Sequence, residues 1–271
     1  MSKKKAGILS LIGYLITMGI GVLIGNIINS MWGGNTLSTM NMDSSNIIYK
    51  IIIQVPPTIF ILYFIKKYYK LENIGFKSKN SKKLIWFIPY IIILVVMIIK
   101  FIMELNKNIG LYNISTYLLI VLIFIGTIMA GFCEEVIFRG IILNSFKSEK
   151  SYLLAMIIRS LGFSIVHITT VIMGNSLFEA FITVFYSSLL GFAFTGLAMK
   201  MNNIWPLITF HSLWNFILMA SQSLNLEISL AAGICNIMNL FIAIILWSIV
   251  IFEEKRKLKK GKSYKMSNVK Y

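Results

Sequence analysis

The sequence predicts an all-α, polytopic integral membrane protein of about eight transmembrane helices. Three observations carry that prediction. Hydrophobic residues make up 57% of the 271 and charged residues only 13%, and the mean hydropathy of +0.79 lies well outside the range of soluble domains. The apolar residues come in long runs rather than in amphipathic stripes, and a helix needs about 20 such residues to cross a bilayer. The basic residues behind the formal charge of +16 sit mostly in the short segments between those runs.

Apolar runs occur near 7–28, 47–65, 84–103, 114–146, 152–173, 178–199, 204–220 and 229–252. The first follows Lys3-Lys4-Lys5 and begins like a secretory signal. Its apolar stretch continues to Ile28, too long for a signal h-region, and no small-residue cleavage site stands out, so it reads as an uncleaved first span. The second is the least regular, with Lys50, Gln54 and the pair Pro56-Pro57, which is expected to kink it. The fourth exceeds what a bilayer requires and is expected to tilt or to emerge on one side. In the sixth, Gly191 and Gly196 permit close helix packing. Pro206 opens the seventh, where a first helical turn tolerates it.

Placing the spans alternately, with the N-terminus inside, puts 21 Lys and Arg residues on the inner side and three, Lys50, Lys100 and Lys107, on the outer. Arg139 and Arg159 fall within spans. This asymmetry follows the positive-inside rule and predicts a multi-pass protein of the cell membrane with both termini cytoplasmic. It also accounts for the charge without a nucleic-acid partner. The partners expected are the lipid bilayer and a peptide or protein substrate. The Lys-rich segment from Glu253 to Tyr271 is read as a basic tail near anionic headgroups. Cys133 and Cys235 both lie inside apolar runs, which leaves neither a disulfide framework nor a Cys-rich zinc site.

An ionised side chain at a helix centre costs about 2.5–3.5 kcal/mol on insertion scales, yet the fourth run holds Glu134, Glu135 and Arg139 within six residues. Glu135 and Arg139 are spaced i, i+4 and share a helix face, whereas Glu134 lies about 100° round the helix from Glu135. Two readings follow. Either all three form one buried network that holds helices together, or Glu135 and Arg139 form a supporting ion pair and Glu134 faces a cavity. Both histidines of the chain also lie in spans: His167, with Phe163 one turn earlier, and His211, with Asn215 one turn later. Counted from the inner ends at 1.5 Å per residue, Glu134 lies roughly 18 Å deep, His211 roughly 10–12 Å, Asn215 roughly 17 Å and His167 roughly 23 Å, close enough for tilted helices to share one cavity. A carboxylate beside an imidazole deprotonates water, and a second imidazole with a carboxamide can donate hydrogen bonds to an oxyanion.

Glu134-Glu135-x-x-x-Arg139, Phe163-x-x-x-His167 and His211-x-x-x-Asn215, in this order on separate apolar helices, resemble the three motifs of the CPBP family. That family comprises the CAAX-type intramembrane proteases and the bacteriocin-processing and immunity (Abi-like) proteins. Each motif alone is weak, and the ordered set is specific. The resemblance implies an intramembrane endopeptidase with catalytic Glu134, His167, His211 and Asn215, supported by Glu135 and Arg139. By that resemblance Glu134 and His167 act on water, while His211 and Asn215 stabilise the oxyanion. It divides the chain into N-terminal helices at 1–113, a catalytic core at 114–220, and a last helix with the basic tail at 221–271.

No cofactor is expected. The alternative is zinc held by Glu134, His167 and His211, although no His-Glu-x-x-His arrangement is present and a carboxamide is a poor zinc ligand. Two rival functions stand beside proteolysis: a non-enzymatic bacteriocin immunity or receptor protein, and a proton-coupled transporter, since Glu and His chains in membranes also relay protons.

Overall fold

A computed structural model describes residues 3–31, 44–76, 81–145, 152–168 and 176–259 of the chain. The described residues form helices and connecting turns, without strands. The α-helices are α1 (Lys3–Met31), α2 (Ser44–Tyr68), α3 (Ile88–Lys107), α4 (Ile114–Glu135), α5 (Leu143–Ser145), α6 (Tyr152–Val166), α7 (Leu177–Met201), α8 (Trp205–Ser223) and α9 (Ser229–Lys259). A π-helical segment, Val136–Ile142, joins α4 to α5, so that Ile114–Ser145 is one continuous rod. The chain is an all-α, multi-pass membrane protein.

Among the described residues, six helices are long and apolar enough to cross a membrane: Lys4–Ile28, Ile47–Tyr68, Lys83–Lys107, Ile114–Ser145, Leu177–Met201 and Ser229–Glu253. The two further helices at predicted spans are α6 and α8, and the reason is physical. Helix α6 has 15 residues, about 22 Å of rise, and the end of the predicted run, 169–173, lies outside the described residues. Helix α8 is diluted by His211, Ser212, Asn215, Ser221 and Gln222. These are also the helices that carry the two motif histidines, or lead directly into them. The side chain of Arg159 and all of residues 260–271 likewise lie outside what is described.

Lipid takes the place of water around the bundle. Ile16, Leu23, Ile85, Ile99, Leu118, Phe181 and Phe241 all point outward, an arrangement that hydrocarbon solvates and water would not. Inside, helices pack where small residues let them. Gly13 lies against the Phe60 ring, Gly21 against the Ile53 backbone and Gly25 against Tyr49, which sets α1 and α2 side by side and antiparallel. Helix α2 runs through Pro56-Pro57 without a break. Thr58 Oγ1 donates to the Gln54 carbonyl at 2.6 Å just beyond them, giving the hydroxyl a partner within the helix.

Helix α4 is central, packed against α2 on one side and α8 on the other, while α7 packs against α6 and α9. Two buried clusters fill the bundle. One gathers Tyr90, Met97, Phe194, Phe210, Trp214 and Leu246. The other gathers Tyr14, Ile61, Cys133, Phe138, Phe163 and Ile204. Trp247 Nε1 donates to the Phe192 carbonyl at 2.8 Å and ties α9 to α7.

Candidate active site

The site is built where α4 ends and the π segment begins. Glu134 and Glu135 are the last residues of α4, and Arg139 lies in the π segment. Such segments widen the helical turn and recur at functional sites. Arg139 Nη1 donates to Glu135 Oε1 at 2.9 Å, with both side chains essentially inaccessible (2% and 0%). The same Glu135 oxygen accepts from His211 Nδ1 at 2.8 Å. Glu135 therefore holds both a guanidinium and an imidazole. The sequence reading paired it only with Arg139.

Because Glu135 can accept but not donate when ionised, His211 Nδ1 carries the proton in this bond, and Nε2 is turned the other way. It lies 3.7 Å from Glu134 Oε2. His167 approaches the same oxygen, with Nε2 at 3.9 Å. Its Nδ1 sits 3.0 Å from the Phe163 carbonyl, which can only accept, so Nδ1–H is again the donor and Nε2 again faces Glu134. Two imidazole rings on different helices are thus fixed from behind by acceptors, and both turn Nε2 to one carboxylate oxygen.

Phe163 organises the neighbourhood with its ring as well as its carbonyl. The ring centroid is 5.0 Å from that of His167, 5.8 Å from that of His211 and 5.4 Å from that of Phe138. The Arg139 guanidinium carbon lies 4.1 Å from the Phe163 centroid. A cation over a desolvated ring gains about 2 kcal/mol. This helps offset the burial of Arg139, whose Nη2 has no hydrogen-bond partner among the described residues.

Close helix approach makes the convergence possible. A Cβ built on Gly131, one turn before the glutamates, would meet Ser212 Oγ at 2.5 Å and Ser212 N at 3.0 Å. Ser212 follows His211, so the absence of a side chain at 131 brings the histidine of α8 up to the carboxylates of α4. Gly191 does the same for α7 against α6, where a Cβ would stand 3.1 Å from both Phe163 Cδ1 and the Ser160 carbonyl.

The structure brings together Glu134, Glu135, Arg139, His167 and His211. Asn215 stands one turn beyond His211 on α8, half-buried, and makes no hydrogen bond to a described residue. Glu134 keeps 14% of its side chain accessible and His167 keeps 20%, while Glu134 Oε2 is itself buried and has no hydrogen-bond partner among the described residues. Residues 116–217, from α4 to near the end of α8, match the family model described as type II CAAX prenyl endopeptidase, Rce1-like. Over these residues, about two fifths of the chain, the protein is similar to the CAAX-type proteases. No curated protein and no solved structure gives a match. The family's model covers every residue of the cluster and stops short of α1, α2, α3 and α9.

Sequence reasoning missed three features of this site. The π segment has no periodicity signal of its own in so uniformly apolar a run. The Glu135–His211 bond joins residues 76 positions apart. The contact of Thr58 Oγ1 with Cys133 Sγ at 3.2 Å brings α2 to the residue beside Glu134. Only the last had a local signal, since Thr58 continues the face of α2 that carries Lys50 and Gln54 at steps of four.

Proposed function

We propose that the protein is an intramembrane endopeptidase of CAAX type that hydrolyses a peptide bond of a membrane-associated peptide or protein, with water activated by Glu134 and His167. The observation that carries this reading is the meeting of two oriented imidazole nitrogens at one carboxylate oxygen, at 3.7 and 3.9 Å. The gaps exceed direct hydrogen bonds and are short enough for one water to bridge the groups from the side. A water molecule that donates one O–H to Glu134 Oε2 and the other to His167 Nε2 keeps a lone pair free for attack.

In the step that follows, the water oxygen bonds to the scissile carbonyl carbon, its proton passes to Glu134, and the carbonyl π electrons move onto oxygen. His211, protonated on both nitrogens, donates from Nε2 to that oxyanion, with Asn215 turning in from the same helix face. The oxyanion collapses, the C–N bond breaks, and Glu134 returns the proton to the leaving amine. Glu135 and Arg139 hold His211 in place. The positive-inside pattern supports a cavity opening towards the cytoplasm.

The zinc alternative fits less well. Tetrahedral bonds of about 2.1 Å set neighbouring donor atoms about 3.4 Å apart, and the gaps at Glu134 are wider. Among the described residues no group of three or more His, Cys, Asp or Glu side chains is arranged to hold a metal ion. Zinc would require both imidazoles to move inward by a few tenths of an ångström.

The test compares membrane peptides from cells carrying the wild-type protein, Glu134→Gln and His167→Ala. The expected result is a precursor that accumulates in both variants and a product pair that disappears. Unchanged peptides, together with an unchanged cellular phenotype in Glu134→Gln, would favour a non-enzymatic immunity or receptor role. Because the matching family is described by prenyl endopeptidase activity, a quenched fluorescent peptide ending in a farnesylated CAAX sequence is the first defined probe.

A further inference from the structure

We infer that Tyr14, on the first helix and outside the family match, is a residue of this active site whose phenolic O–H donates to the water held by Glu134. The inference rests on the proteolytic reading above.

Helix register places Tyr14 at the level of Glu134. Gly13 lies against Phe60 and Gly21 against Ile53, so each step along α1 is matched by a step back along α2, and Tyr14 stands beside residues 59–60. Ile51 lies against Gly126 and Thr58 bonds Cys133, so α2 and α4 advance together. Residues 59–60 of α2 therefore stand beside 134–135 of α4. The two registers, each set by two contacts, converge on the same height.

Burial and chemistry agree with the register. Tyr14 is fully buried, in the same cluster as Cys133, Phe138 and Phe163, and α1 packs directly on the π segment. The Tyr14 oxygen lies within electrostatic range of Glu134 and of Cys133. Its hydroxyl has no hydrogen-bond partner among the described residues, and neither has Glu134 Oε2. A donor and an acceptor, both buried and both without a hydrogen-bond partner among the described residues, thus stand at one height of the bundle. A fully buried hydroxyl left unpaired costs about 1–3 kcal/mol, and a reactant that accepts from it removes that cost. Tyr14 is the only aromatic residue of α1, and a Phe would fill the same volume without the donor.

Tyr90 supplies a matched control. It is equally buried and its hydroxyl also lacks a hydrogen-bond partner among the described residues, but it sits among Phe87, Phe194 and Phe210, in the other buried cluster.

The experiment uses full-length protein in liposomes with the farnesylated CAAX peptide, comparing wild type, Tyr14→Phe, Tyr90→Phe and Glu134→Gln. Tyr14→Phe is expected to lower kcat 10- to 100-fold with KM within twofold and thermal stability equal or higher, while Tyr90→Phe keeps wild-type kcat. Infrared difference spectra provide a readout without substrate. The carboxyl band assigned to Glu134 by its loss in Glu134→Gln should shift in Tyr14→Phe and stay in place in Tyr90→Phe. Wild-type kcat and an unmoved Glu134 band in Tyr14→Phe would overturn the inference while leaving the proteolytic reading intact. If wild type and Glu134→Gln behave alike, the proteolytic reading fails instead, and the infrared comparison still decides whether Tyr14 faces Glu134.

Discussion

Replacing Gly131 by Ala tests how tightly catalysis depends on the approach of α8 to α4. The added methyl would stand 2.5 Å from Ser212 Oγ and 3.0 Å from Ser212 N. The hydroxyl can rotate away. The backbone nitrogen cannot, and reaching ordinary contact beyond 3.4 Å requires α8 to retreat by about 0.4 Å, at a cost of about 1–3 kcal/mol for overpacking. His211 is the neighbouring residue and travels with the helix. Its 2.8 Å bond to Glu135 lengthens or tilts, and its 3.7 Å gap to Glu134 widens by a similar amount. A misplacement of about 1 Å can cost 100-fold in rate, so roughly half that displacement predicts about a 10-fold loss of kcat. The assay is turnover of the quenched CAAX peptide in liposomes, with thermal unfolding of the same preparation. Wild-type kcat together with wild-type stability would show that α8 is not held against α4 at Gly131 and would refute the reasoning.

Two further predictions concern the supporting network and the metal alternative. Arg139→Ala leaves Glu135 buried without its guanidinium and should cost about 3–5 kcal/mol, read as a lowered unfolding midpoint in detergent. Replacing the pair together, Glu135→Leu with Arg139→Met, should restore most of that stability while kcat stays low, because His211 then lacks the acceptor that orients it. Exhaustive chelation should leave activity intact, with no stoichiometric metal found by elemental analysis. One zinc per chain, with activity restored by zinc alone, would make Glu134, His167 and His211 ligands.

The fold was legible because bilayer-length apolar runs are a global signal that survives uncertainty at any one residue. The two short helices were harder. The run of α6 is long enough only when counted past His167, and that of α8 only across His211, Ser212 and Asn215, which lower its hydropathy. At the site, Glu135 and Arg139 could be related by helical spacing, because i, i+4 is a local rule. The Glu135–His211 bond could not, since it depends on how close α8 comes to α4, and that is set by Gly131 and Ser212 rather than by any pattern along one helix. The widened turn at Val136–Ile142 escaped for a related reason. In a run where nearly every residue is apolar, a change of helical period leaves no trace in the sequence. Nothing in the sequence pointed to Tyr14, because the motifs that point to chemistry lie on α4, α6 and α8, and the family match stops there as well.

The central claim is that Glu134 is the base that turns water on a peptide bond. Its most direct test is cleavage of the farnesylated CAAX peptide by purified protein in liposomes, wild type against Glu134→Gln at equal insertion and equal thermal stability. The account predicts cleavage by wild type and a loss of at least 1000-fold in Glu134→Gln. Cleavage at the wild-type rate by Glu134→Gln would contradict it.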